Sequence, residues 1–94
     1  MSDDAQAAFS EALSTLMHAN AFMPERFKRK LVNKPDLPKN ILIRDGLRAA
    51  IDNSSMTPEV FEGLTDAMLV SQEDMDAWLQ SLWAYVYEDG PEPE

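Results

Sequence analysis

His18 is the only histidine of the chain, and it is therefore the side chain best suited to general-base chemistry near neutral pH. A serine or threonine hydrolase would need this imidazole beside the hydroxyl, with a carboxylate behind it. His18 follows Met17 on the flank of the predicted first helix, away from its apolar stripe, so we expect it to be exposed. The sequence contains no cysteine, which excludes thiol nucleophiles, thiolate metal sites and disulfides. We predict no catalytic residue and no enzymatic activity.

The acidic residues and the glycines decide whether the chain could bind a metal ion or a phosphate group. Glu73, Asp74 and Asp76 lie close together, but this segment lacks the glycine and the ligand spacing of a calcium loop. These acids fit the first turn of a helix, where the macrodipole favours negative charge. The run 52–54 begins as a calcium loop does, yet Met56 stands at the next ligand position. All three glycines are isolated, which excludes a phosphate-binding loop, so we expect neither a metal nor a cofactor.

Charge is strongly segregated along the 94 residues, whose net charge is −9. The basic residues all fall in one central stretch: Arg26, Lys28, Arg29, Lys30, Lys34, Lys39, Arg44 and Arg48. Only two acids, Asp36 and Asp45, lie among them, and no basic residue follows this stretch. The distribution can serve internal pairing between the middle and the ends, head-to-tail association into a homo-oligomer, or recognition of a charged partner.

Six of these cations form a candidate anion-binding segment, in which basic side chains are interleaved with Phe27 as on nucleic-acid surfaces. They are Arg26, Lys28, Arg29, Lys30, Lys34 and Lys39. A nucleic acid or an anionic small molecule would use the same cations. A helix-turn-helix is conceivable here, but the connection 34–39 is longer and richer in proline than the usual turn of about 3–4 residues. The acidic remainder of the chain would repel a phosphate backbone, so nucleic-acid binding is the alternative function.

Aromatic residues are concentrated near the end of the chain. Trp78, Trp83, Tyr85 and Tyr87 fall within ten residues, although the whole chain has only two tryptophans and two tyrosines. Both tryptophans lie on the predicted apolar stripe, where core packing explains them. The two tyrosines lie outside that stripe. We therefore predict a partner-binding patch formed by these four residues, because tyrosine and tryptophan are enriched at interface hot spots.

Helical periodicity dominates the first part of the chain. Ser2 is a plausible N-cap for a first helix that buries Phe9 and Leu13 among other residues and extends to about Asn20. Pro24 opens a second helix at its first position. Asn20 could instead cap the second helix, or close the first as a left-handed residue. The segment 33–38, with two prolines, is predicted to be a turn.

A third helix is predicted from Asp36 or Pro38 to Asp52. Its expected buried residues are Ile41, Leu42, Leu47, Ala50 and Ile51. The run 40–43 is the one place for a short strand, but no second β-rich segment exists to pair with it. Gly46 is tolerable inside this helix if a neighbouring helix crosses there.

Two further helices carry the clearest start signals. Thr57 and Ser71 are predicted N-caps, and the pairs Met56 with Phe61 and Val70 with Met75 occupy hydrophobic-staple positions. The fourth helix is expected to bury Val60, Phe61, Leu64 and Met68. The fifth helix is expected to bury Met75, Trp78, Leu79, Leu82, Trp83 and Val86.

The sequence thus predicts an all-α fold, a single domain over 1–87 with four to five short helices, followed by a disordered acidic tail at 88–94. The acidic N-terminus lacks the features of a secretory signal and no segment is long and apolar enough for a membrane span, so we expect a cytoplasmic protein. We interpret the chain as a small acidic regulator or inhibitor that binds another protein with a basic surface. An immunity-like, antitoxin-like or assembly-chaperone-like role would use the same physical features.

Overall fold

The computed structural model describes residues 3–93, apart from the side chains of Asp3 and Ala21. Its five helices confirm the predicted all-α fold. They are α1 (Asp3–Leu16), α2 (Pro24–Asn33), α3 (Pro38–Asn53), α4 (Pro58–Thr65) and α5 (Gln72–Tyr87). The predicted N-cap Ser2 lies outside the described residues. Across residues 3–93, no helix combines the length and the apolar composition needed to cross a bilayer.

The first helix ends earlier than expected, at Leu16 rather than near Asn20. The chain then reverses in a short antiparallel hairpin, in which β1 (Met17–His18) pairs with β2 (Ala21–Phe22). Asn20 lies in the hairpin turn, so both predicted roles for it, as a cap of α2 and as a left-handed end of α1, are wrong. The hairpin can replace a further helical turn because the hydrogen bonds between its two strands satisfy the same backbone groups. It also brings the chain directly to Pro24, the first residue of α2.

The closest helix pair is α1 against α3. A Cβ atom at Gly46 would clash with the carbonyl oxygen of Ala5 and would lie 2.7 Å from Cβ of Phe9. The condition under which Gly46 is tolerable, that a neighbouring helix crosses there, is therefore met. The run 40–43 lies inside α3, so the alternative of a short strand is wrong.

The buried face of α3 differs from the predicted one. Ile43 is fully buried and Asn40 is almost so, whereas Ile41, Leu42 and Ile51 are only partly buried. The helix turns the series 40, 43, 47 and 50 toward the core. Asn40 belongs there because its amide donates to the carbonyl oxygens of Lys30 and Lys34, at 3.0 and 2.8 Å, which closes the end of α2.

Both predicted caps of the last two helices are confirmed. Thr57 Oγ1 accepts a hydrogen bond from the Val60 amide at 3.2 Å, and Ser71 Oγ accepts one from the Asp74 amide at 3.1 Å. Met56 and Phe61 are both buried, as their staple positions predict. The other predicted staple is wrong, because Val70 is 91% exposed.

The predicted stripe of α4 is also partly wrong, because the helix has only eight residues. It ends at Thr65, and Asp66 then adopts a left-handed conformation with φ 60° that turns the chain away. Met68 consequently lies beyond the helix and is 77% exposed. Val60 lies within the helix but is 50% exposed. In α5 the expected residues are buried, except that Trp83 is only half-buried.

The segment after α5 folds back on the helix that precedes it. The amides of Glu88 and Gly90 both donate to the carbonyl oxygen of Ala84 at 2.8 Å, and Pro93 is buried. Asp89 pairs with Lys28 at 3.6 Å. The described residues 88–93 contain no helix, as expected, and disorder of this segment stays a prediction.

Candidate functional site

The four aromatic residues predicted as one patch lie on two different sides of α5. Trp78 and Tyr85, seven residues apart, face the core and are 7% and 9% exposed. The expectation that Tyr85 lies outside the core is therefore wrong. It is covered because α2 packs against α5, which brings the Lys28 ammonium to 4.8 Å from the centre of the Tyr85 ring.

Trp83 and Tyr87 form a separate pair, four residues apart, with ring centres separated by 4.5 Å. The Arg48 guanidinium lies over the Trp83 ring at 5.1 Å. Burial raises the pKa of the Tyr87 phenol, and the nearby Arg44 charge opposes part of that rise. Trp83 is therefore partly covered by Arg48 of α3, whereas Tyr87 keeps 36% of its surface exposed.

Several of the predicted anion-binding cations are paired within the chain. Lys28 contacts Asp89, Arg29 contacts Glu25, and Lys39 contacts Glu11 at 2.9 Å. The hydrogen bond from Lys39 and its charge hold the pKa of the Glu11 carboxyl below the usual range. Three of the six cations in the predicted anion-binding segment are therefore paired with acids of the same chain.

The remaining three cations are exposed and lie on α2 or at its end. Arg26 and Lys30 are one turn apart on α2, and Lys34 is the residue that follows the helix, so the three are named here the cationic row. Within residues 3–93, these three side chains form no ion pair with a carboxylate. The positive middle of the chain thus keeps an unpaired cationic row.

His18 is half-buried in the hairpin rather than exposed on a helix flank. Its Nδ1 atom accepts a hydrogen bond from the Asn20 amide at 3.1 Å. The imidazole therefore serves the turn of the hairpin. No group of three histidine, aspartate or glutamate side chains in the described part of the chain is arranged to hold a metal ion.

An apolar groove lies between the hairpin and the connection from α4 to α5, and the sequence did not indicate it. Its volume is about 250 Å³. The lining residues come from both walls and the floor: Met17, Ala19, Phe22, Phe61, Ala67, Met68, Leu69 and Trp78. Phe61 and Trp78 pack on each other in the floor, with ring centres 4.8 Å apart. Phe22 and Met68 stand on opposite walls and are 40% and 77% exposed.

Both walls of the groove are fixed to Thr65, which is fully buried at the end of α4. Thr65 Oγ1 donates to the carbonyl oxygen of Phe61 at 2.8 Å and accepts from the Ala67 amide at 3.3 Å. The Thr65 carbonyl oxygen accepts from the Ala19 amide in the hairpin at 2.7 Å. The exposed Met68 is thus presented by an anchored segment rather than by a free loop.

None of the lining residues is charged, but the two helices joined by the connection carry four acidic residues next to it, called here the acidic rim. Glu62 and Asp66 lie at the end of α4, and Glu73 and Asp74 lie in the first turn of α5. No lysine or arginine follows Arg48 in the sequence, so α4, the connection and α5 contain no positively charged side chain. The only sequence signal for the site is the run 67–70, four apolar residues placed between two capped helices.

Comparisons of the chain with protein-family models, with curated proteins and with solved structures gave no match.

Proposed function

We propose that this protein is a non-enzymatic regulator that binds another protein through the apolar groove between the hairpin and the connection from α4 to α5. The observation that carries the proposal is the exposure of Phe22 and Met68 above the buried pair of Phe61 and Trp78. Large exposed apolar side chains around an apolar depression are typical of interaction sites. The absence of cysteine fits a reducing compartment, and the cytoplasm is part of the proposal.

The partner segment is defined by two complementary properties. Its centre carries a short run of apolar side chains that fills the groove, where methionine and aromatic residues adapt to the incoming surface. Its flanks carry lysine or arginine, which the acidic rim around Asp66 and Glu73 attracts during encounter. A groove of about 250 Å³ is small for a stable interface, so the affinity for an isolated segment is expected to be micromolar.

A displayed library of short random peptides, selected on the full chain, tests this proposal. The selected peptides should contain apolar residues flanked by basic residues. Met68→Asp should weaken their binding by at least about tenfold, since it places a charge in the apolar contact. Phe22→Ala, on the opposite wall, should weaken it to a similar extent.

Val32→Asp is the matched control, because Val32 is also an exposed apolar residue but lies on α2, outside the groove. This variant should bind the selected peptides as the natural chain does. Equal loss in Val32→Asp and Met68→Asp would contradict the proposal, as would selection of acidic peptides. The natural chain could instead have a solution mass above 10.6 kDa that returns to 10.6 kDa in Met68→Asp. The groove would then be occupied by a second copy of the chain rather than by another protein.

A further inference from the structure

A second and larger cavity lies where α1, α2 and α3 meet, away from the apolar groove. Its volume is about 430 Å³, which falls in the size range of roughly 300–1,000 Å³ usual for small-molecule sites. Its apolar lining consists of Ala12, Leu16, Met23 and Ile43. Ala12, Leu16 and Ile43 are at most 9% exposed and Met23 is partly buried, so Met23 is the most accessible apolar side chain of the four.

The polar side of the cavity is predominantly positive. Arg26 and Lys30 line it from successive turns of α2, and neither is paired with a carboxylate in the described residues. Lys39 lines it from the start of α3 and is held at 2.9 Å from Glu11. Three cations and one carboxylate leave a formal charge of two positive units next to an apolar wall.

We propose that this cavity binds a small phosphate monoester whose organic part is apolar or aromatic. A phosphate monoester carries about −1.5 to −2 charges at pH 7, which matches the charge of the lining. The Arg26 guanidinium provides the planar donor pair that phosphate oxygens accept, and Lys30 supplies a second, point-like positive charge. The organic part then lies against Met23 and the accessible edge of Leu16.

The overall charge of the molecule favours a small anion over a nucleic acid. Eleven acidic residues and no basic residue follow Arg48, and this part of the chain would repel a long phosphate backbone. A single phosphate monoester experiences mainly the local field of the cavity. Lys34 follows α2 and does not line this cavity, but it lines an adjoining one with Arg26, Lys30 and Lys39, so a variant of Lys34 distinguishes the two cavities.

Titration of the full chain with phenyl phosphate, followed by the amide signals in NMR spectra, tests this inference. Saturable shifts are expected at Leu16, Met23 and Ile43. Phenol and inorganic phosphate, each carrying half of the ligand, should bind at least about tenfold more weakly. A parallel titration with adenosine monophosphate distinguishes the source, since tighter binding than phenyl phosphate indicates a nucleotide and weaker binding indicates a smaller organic group.

Charge variants locate the site. Arg26→Gln and Lys30→Gln should each weaken phenyl phosphate binding about tenfold, while Lys34→Gln should change it by less than about twofold. Glu11→Gln should strengthen binding roughly threefold, because it removes the one negative charge of the cavity and releases Lys39. All four positions are exposed, so these variants should fold.

Three results would overturn the inference. The first is the absence of saturable shifts at millimolar phenyl phosphate. The second is an equal effect of Lys34→Gln and Arg26→Gln, which would indicate a diffuse cationic surface. The third is an RNA or DNA oligonucleotide that binds more tightly than either monoester and loses affinity in Lys34→Gln, which would assign the row to nucleic acid.

Discussion

Tyr85 and Tyr87 are the only tyrosines of the chain, so their ionisation can be followed without interference. Burial raises the pKa of both phenols, and the charge of Glu92 raises that of Tyr85 further. The unfolded chain therefore loses these protons first, near the ordinary value of about 10. The contribution of the protonated phenols to the free energy of unfolding is fully present below about pH 10. It should be lost as the pH rises through the folded-state pKa values.

Phenolate absorbance measured against pH should give midpoints above about 10 in the folded protein, and urea unfolding should show a falling free energy of unfolding above that pH. Tyr85→Phe and Tyr87→Phe assign each midpoint to its residue. A midpoint at or below the ordinary value for the single tyrosine left in either variant would contradict the burial of Tyr85 or the partial burial of Tyr87.

At the scale of single residues, the sequence predicted what depends on local geometry. The caps Thr57 and Ser71 were predicted correctly because each bonds an amide only three residues away. The exposure of Met68 was not predicted, because it depends on where α4 ends. That end is determined by the left-handed Asp66 and by the buried Thr65, whose carbonyl group bonds the distant hairpin.

The packing of α1 on α3 leaves no room for a side chain at Gly46. Gly46→Ala should lower the free energy of unfolding by about 1–3 kcal/mol, because the added methyl group would clash with the backbone of Ala5. This loss is expected even though alanine favours a helix over glycine by about 1 kcal/mol. Urea unfolding followed by circular dichroism measures the difference.

Gly63→Ala is the matched control, since Gly63 also lies in a helix but has no atom within 4 Å of the added Cβ position. It should raise the free energy of unfolding by about 0.5–1 kcal/mol. If both variants were stabilised, the close approach of α1 and α3 would be wrong.

Among the elements, the helices were predictable and the hairpin was not. Each helix carries several turns of apolar periodicity, whereas two-residue strands are too short to show an alternating pattern. The burial of Asn40 could not be predicted either, because the carbonyl groups that it bonds lie at the end of α2. Long-range partners of this kind leave no mark on the local sequence pattern.

For the whole molecule, the segregation of charge along the sequence is only partly neutralised by folding. The described residues form five ion pairs, all with at least one well-exposed partner, and such pairs contribute little to stability. The cationic row and the acidic rim of the apolar groove remain as separate charged surfaces. Trp78 is the one residue of the apolar groove that the sequence predicted to contact a partner. The other lining residues converge from the hairpin, α4 and the connection that follows it.

In the proposed complex, the partner segment docks over Trp78 in the floor of the apolar groove. The chain has two tryptophans, so Trp83→Phe leaves Trp78 as the only one, and Trp78→Phe leaves only Trp83. Titrating a peptide selected on the natural chain should change the Trp78 emission with the dissociation constant measured for binding, while the Trp83 emission stays constant. A signal confined to Trp83, with the same affinity, would place the partner elsewhere and contradict the account.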